Sequence, residues 1–106
     1  MRTLLTLLTL AATPLFAQNY VDAGDGVRIW YSETGKGSPV IVIHGGPGMD
    51  HYSVAADLAP LALHHRVISS DQRGGGQSTL PADRRRLTIE PHVSDPKALR
   101  HKLGLT

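Results

Sequence analysis

Val40-Ile41-Val42-Ile43 is an unbroken run of β-branched apolar residues, and His44-Gly45-Gly46-Pro47-Gly48 follows it directly. A run of this kind reads as a strand buried on both faces, suited to the middle of a parallel sheet. The loop that leaves it has three glycines and a proline in five residues. Glycine permits positive φ and leaves backbone N–H groups without a shielding Cβ. Open α/β sheets place their ligands at the carboxyl ends of such strands. Donors fixed there can stabilise an oxyanion. The pair of features therefore points to an α/β sheet with a donor-rich loop at its working edge.

A second strand is predicted over Arg66-Val67-Ile68-Ser69-Ser70, running into Asp71-Gln72-Arg73-Gly74-Gly75-Gly76-Gln77-Ser78. Between the two strands, Tyr52, Val54, Ala55, Leu58 and Leu61 recur at helical spacing. Asp50 is the expected N-cap, and Pro60 should end or bend the helix. Strand, helix, strand implies a right-handed crossover between parallel strands. Both glycine loops then leave the same edge of the sheet. Upstream, Tyr20–Ala23 and Val27–Ser32 flank Gly24-Asp25-Gly26 and predict a β-hairpin. Val27, Ile29 and Tyr31 alternate with Arg28, Trp30 and Ser32, so one face is wetter. Downstream, Thr79 to Glu90 reads as charged and irregular. A helix is expected over Asp95–Gly104, with Asp95 as cap, Pro96 at the first position, Leu99 and Leu103 on one face and Gly104 as the stop.

His44-Gly45-Gly46-Pro47-Gly48, followed by Asp71-Gln72-Arg73-Gly74-x-Gly76-x-Ser78, resembles the proline iminopeptidase branch of the α/β-hydrolase fold. The resemblance covers about Tyr20 to Thr106. It implies an incomplete α/β domain over residues 18–106, the N-terminal part of the hydrolase sheet: a β-hairpin, then parallel β-α-β. It implies a serine-type hydrolase that releases N-terminal proline from peptides, with an ester or amide hydrolase of another specificity as the alternative. Gly45 and Gly46 would supply oxyanion N–H groups. His44, Pro47, Gly48, Asp71, Gln72, Arg73 and Gly74 would support the loop. In that family the helix near Asp95 starts earlier and lacks a proline there, so Pro96 implies a shortened or kinked helix.

The nucleophile turn of this fold is G-x-S-x-G, with an acid and then a histidine later in the chain. None of the three can be placed in these residues, nor can the cap that would recognise a substrate. In the family the nucleophile strand would begin near Thr106, so the Val40–Ile43 strand is expected to become a sheet edge. The chain alone is therefore expected to be inactive and unstable or aggregation-prone, with a non-catalytic remnant as a second function class. Gly76-Gln77-Ser78-Thr79-Leu80 lacks the closing glycine and precedes no apolar helix. Ser78 is thus expected to hydrogen-bond beneath the loop rather than attack a substrate.

Other residues carry weaker signals. His51, His64 and His65 have no carboxylate spacing for a metal and read as surface or helix-end histidines. Gly74-Gly75-Gly76 lacks the Lys-Ser/Thr of a phosphate loop. Asp71 and Arg73 read as a supporting network or, more simply, as an exposed ion pair. No cofactor and no metal are expected, and oligomeric state cannot be read.

Met1-Arg2 followed by Leu4, Leu5, Leu7, Leu8, Leu10, Ala11 and Ala12 reads as a secretory leader over residues 1–17, too short to span a bilayer. Cleavage before Gln18 would deliver a periplasmic or secreted protein. The formal net charge is only +2, and Arg2 would leave with the leader. That balance gives no electrostatic case for nucleic acid or an acidic membrane. Arg84-Arg85-Arg86 is read as a solvated loop after Pro81. With no cysteine, the fold must hold without disulfides or thiolate metal sites. The expected partner is a small peptide or ester substrate.

Overall fold

A computed structural model describes residues 19–46 and 48–105. The expected leader and Pro47 lie outside the described residues. The hairpin forms as its alternation demands: β1 (Asn19–Asp22) pairs antiparallel with β2 (Arg28–Thr34), Tyr20 facing Trp30 and Val21 facing Ile29. Its turn is closed by the Asp22 carboxylate, which accepts from the Gly24 amide at 2.8 Å. Val27, Ile29 and Tyr31 are buried, whereas Arg28 is exposed and Trp30 and Ser32 are half-buried.

β3 (Ser38–Ile43) and β4 (His65–Ser70) pair in parallel, with Ile43 beside Ser70, and β4 also pairs antiparallel with β2. The sheet order is β1-β2-β4-β3. β3 is thus an edge strand of the described sheet, and Ile43 is 51% exposed. The apolar run does not mark a strand buried on both faces here. With β4 as its one neighbour in the sheet, β3 carries the exposed edge expected from the resemblance.

The crossover between β3 and β4 is shorter than its pattern suggests. α1 (Tyr52–Leu58) gives way to a 3₁₀ turn over Ala59–Leu63 that contains Pro60. Proline has no N–H to continue the α ladder. His51, not Asp50, occupies the N-cap, but Asp50 still serves the helix, its carboxylate accepting from the Tyr52 amide at 3.0 Å. No α1 residue is fully buried.

α2 spans Ile89–Lys102, beginning well before the expected start at Asp95, with Pro96 inside it. Asp95 is no cap: its carboxylate is buried and bound to Arg73. A 3₁₀ turn over Arg84–Leu87 precedes the helix, capped by Asp83, which accepts from the Arg85 amide at 3.0 Å. At the far end Gly104, at φ +69°, donates to the His101 carbonyl and Leu105 donates to Arg100. That pair of bonds satisfies the last-turn carbonyls.

The core lies between α2 and one sheet face. Leu99 packs there with Val21, Val27, Ile29, Tyr31 and Ile68, and Ala98 and Leu103 press against the cluster. Burial of these side chains is the main favourable term, roughly 1.5–3 kcal/mol for each large one. Because α2 is anchored by this cluster, it stands directly behind the loops at the ends of β3 and β4.

Candidate active site

The pairing of Ile43 with Ser70 makes His44 and Asp71 neighbours as the two strands end. Both glycine loops therefore leave one edge of the sheet side by side. The two are held very differently.

The first loop is pinned by His44, which is 3% exposed. Its Nε2 accepts from the Gln72 amide at 2.9 Å, so the proton sits on Nδ1, which donates to the Gly45 carbonyl at 2.5 Å. The Gln72 side chain returns the contact by donating to the His44 carbonyl at 2.6 Å. Beyond His44, Gly45, Gly46 and Gly48 are exposed. Gly46 has φ +108°, a region that excludes other residues at little strain. Among the described residues neither the Gly45 nor the Gly46 amide donates a hydrogen bond to the protein. The loop is thus fixed at its root while its N–H groups stay free.

The second loop turns inward. Asp71 is fully buried, and one carboxylate oxygen accepts from the His51 amide at 2.7 Å and from His51 Nδ1 at 2.8 Å. Its other oxygen accepts from the Gln77 amide at 2.9 Å. Ser78 Oγ donates to the Asp71 carbonyl at 2.6 Å and accepts from the Trp30 amide at 2.9 Å. Both oxygens of Asp71 and the hydroxyl of Ser78 are therefore consumed in holding the turn, as expected of Ser78. Gly75 and Gly76 let the loops touch. A Cβ on Gly75 would lie 2.2 Å from the Met49 carbonyl, and one on Gly76 would lie 2.2 Å from the Asp71 carboxylate.

Arg73 does not pair with Asp71, and neither side chain forms an exposed ion pair. Arg73 is 1% exposed and forks onto Asp95, Nε and Nη2 each 2.7 Å from a carboxylate oxygen. Nη1 reaches Asp25 and the Arg86 carbonyl, both at 2.8 Å. The Asp95 carboxylate first, and then Asp25, hold the guanidinium firmly charged against the penalty of burial. In turn the hydrogen bond from Arg73 holds the Asp25 carboxyl below its ordinary range. This network ties the second loop to α2 and to the hairpin turn. Gly74, at φ +79°, lies against Leu87 and Leu80 behind it.

His51 is the participant that sequence reasoning left on the surface. It occupies the N-cap position of α1, binds Asp71, and lies against Trp30 and Tyr52 with ring centroids 4.4 and 4.1 Å away. Asp25 and Asp95 were likewise not singled out as site residues. Each of the three finds its partner at least 20 residues away, a separation that no local pattern reports. His64 and His65 are not drawn into the site, and among the described residues no group of three or more His, Cys, Asp or Glu could hold a metal ion. A polar cleft of about 610 Å³ lies beside Asp25, Arg73 and Arg86, away from Gly45 and Gly46.

Chemically, the arrangement offers unpaired backbone donors above a buried, hydrogen-bonded base. Known proteins resemble the chain in sequence and fold. Residues 38–106 match the sequence model of a family described as alpha/beta hydrolase fold. A proline iminopeptidase of Heyndrickxia coagulans is 34% identical over 93 residues, covering 86% of this chain and 32% of that protein. A 2-hydroxy-6-oxo-6-(2'-aminophenyl)hexa-2,4-dienoic acid hydrolase of Metapseudomonas resinovorans is 43% identical over 68 residues, 62% of this chain and 23% of its own length. The crystal structure of a proline iminopeptidase-related protein from Thermus thermophilus superposes with a TM-score of 0.74 at 34% identity, covering 83% of this chain and 32% of that one. The chain spans less than a third of the length of these relatives.

Proposed function

The chain belongs to the α/β-hydrolase fold family, and from that premise we propose that it supplies the oxyanion arm of a serine-type hydrolase that releases N-terminal proline from peptides. The observation that carries this reading is the pair of exposed Gly45 and Gly46 amides, free of protein acceptors at the end of β3. In acyl transfer the attacked carbonyl oxygen gains negative charge. Donors already oriented toward it stabilise that charge without reorganising. A serine on a G-x-S-x-G turn, with its acid and histidine, would complete the site, and the amide after the serine would be the other half of the oxyanion hole. No cofactor takes part in this scheme. By this reading the 106 residues alone do not turn over substrate, because they offer donors and no nucleophile.

Support for the prolyl preference comes from the relatives named proline iminopeptidase. The Metapseudomonas relative favours a second reading, a hydrolase of another specificity built on the same loop. The two separate in one experiment. The DNA is read past codon 106: a genuine stop there supports a non-catalytic remnant, whereas a continuing frame with G-x-S-x-G about ten to fifteen residues on yields a product to assay on a proline arylamide and on a simple aryl ester. Preference for the arylamide supports the first reading, and preference for the ester the second. In that protein Gly45→Pro, which deletes one amide, lowers kcat about 10²–10³-fold. An unchanged kcat sinks the oxyanion role. We further propose export with cleavage before Gln18, which N-terminal sequencing of the secreted product checks.

A further inference from the structure

The first glycine loop has a problem that its sequence creates. Ordering each backbone residue costs roughly 1–2 kcal/mol, and glycine loses the most freedom of any residue. A loop of three glycines whose amides donate to no protein acceptor among the described residues should be mobile, and mobile donors stabilise a transition state poorly. One anchor, at His44, would leave the far end swinging.

The far end is not free. His51, beyond the glycines, directs its backbone amide and its ring Nδ1 onto the same oxygen of Asp71, at 2.7 and 2.8 Å. His44 is bound by Gln72 through two further bonds, at 2.9 and 2.6 Å. Two consecutive residues, Asp71 and Gln72, thus grip both ends of the loop. Midway, the Met49 carbonyl lies so close to Gly75 that a Cβ there would sit 2.2 Å from it. The His51 ring also packs against Trp30 on β2 and Tyr52 on α1, which restricts its swing. Asp71 is fully buried and has no solvent to turn to, so releasing His51 would strand part of its charge.

We propose that His51 is a positioning residue: with Asp71 it closes a two-point clamp that holds the Gly45 and Gly46 amides in one orientation. Its catalytic meaning rests on the oxyanion reading above, whereas the clamp itself rests on these contacts alone. No substrate touches His51 in this account. It acts through Asp71 on the loop.

The test is ¹⁵N relaxation of the full chain, which reads the order of each amide without substrate. A rigid backbone gives an order parameter near 0.85, and a flexible one falls below about 0.6. The clamp requires Gly45 and Gly46 to sit near the rigid value. His51→Phe, which keeps an aromatic ring beside Trp30 and Tyr52 and the backbone amide but removes the ring donor to Asp71, should lower both markedly, toward about 0.6, while Ile29 and Ile68 on the strands stay rigid. His51→Asn, whose amide nitrogen can take the place of Nδ1, should restore them. Three outcomes overturn the proposal: equal order parameters in wild type and His51→Phe, loss of order in loop and strands together, or no rescue by asparagine. Because the measurement uses no substrate, its failure leaves the Gly45→Pro kinetics to judge the oxyanion reading separately.

Discussion

The two glycine loops leave adjacent strands at the same sheet edge, and they use the same residue for opposite ends. In the first, Gly45, Gly46 and Gly48 are exposed and keep the backbone bare. In the second, Gly75 and Gly76 admit a carbonyl and a carboxylate to within a distance that a methyl group would forbid. Around the first loop the backbone donors are free. Around the second, Asp71, Arg73 and Ser78 are buried and bound to several partners each. Glycine richness alone therefore does not mark a ligand site. What distinguishes the loops is where the freed space goes, to solvent in one case and to protein in the other.

That contrast breaks most sharply at Arg73. Arg73→Met leaves the buried Asp95 carboxylate without its partner and should cost about 3–5 kcal/mol, read from the urea midpoint. A loss below about 1 kcal/mol would mean that the second loop is not held by charge. Adding Asp95→Leu to Arg73→Met should recover part of the loss, since the stranded carboxylate goes with it. A smaller effect follows from putting the same methyl group on each loop. Gly76→Ala should cost about 1–3 kcal/mol, because φ there is +48° and the new Cβ meets Asp71. Gly45→Ala meets nothing within 4 Å and should stay within about 0.5 kcal/mol. Equal losses at the two positions would erase the distinction.

The smallest effect is acidic. The Asp25 carboxyl is held below its ordinary value, first by the hydrogen bond from Arg73. A group depressed on folding contributes stability that is complete above its unfolded pKa of about 4 and disappears as pH falls through the folded value. Acid should therefore loosen the tie between the hairpin turn and the second loop below about pH 4. Asp25→Asn should flatten that limb of the stability profile. The contribution is modest because Asp25 keeps contact with water.

Much of this fold was legible in local pattern. The hairpin followed from alternation between Val27, Ile29 and Tyr31 and their polar neighbours. The parallel pair followed from two apolar runs flanking a helical stretch, and the paired motifs pointed to the family. Local reading failed where a residue serves a distant partner. Asp95-Pro96 looks like a helix start, yet Asp95 is spent on Arg73, 22 residues earlier in the chain. Pro96 is tolerated inside α2, where its missing N–H costs one bond to the His92 carbonyl. His51 looked like a surface histidine because nothing near it in sequence needs a donor. The candidate donors at Gly45 and Gly46 were visible as glycines in a loop, whereas the clamp around them depends on which residues β3 and β4 bring together.

Trp30 is the single tryptophan of the chain, and its ring lies 4.4 Å from that of His51. The indole therefore sits beside a side chain that joins loop, helix and buried carboxylate. Any event that lifts His51 from Asp71 also changes the packing and solvation of that indole. Its emission is thus an intrinsic optical reporter of the contact between His51 and Asp71, readable in the unlabelled protein.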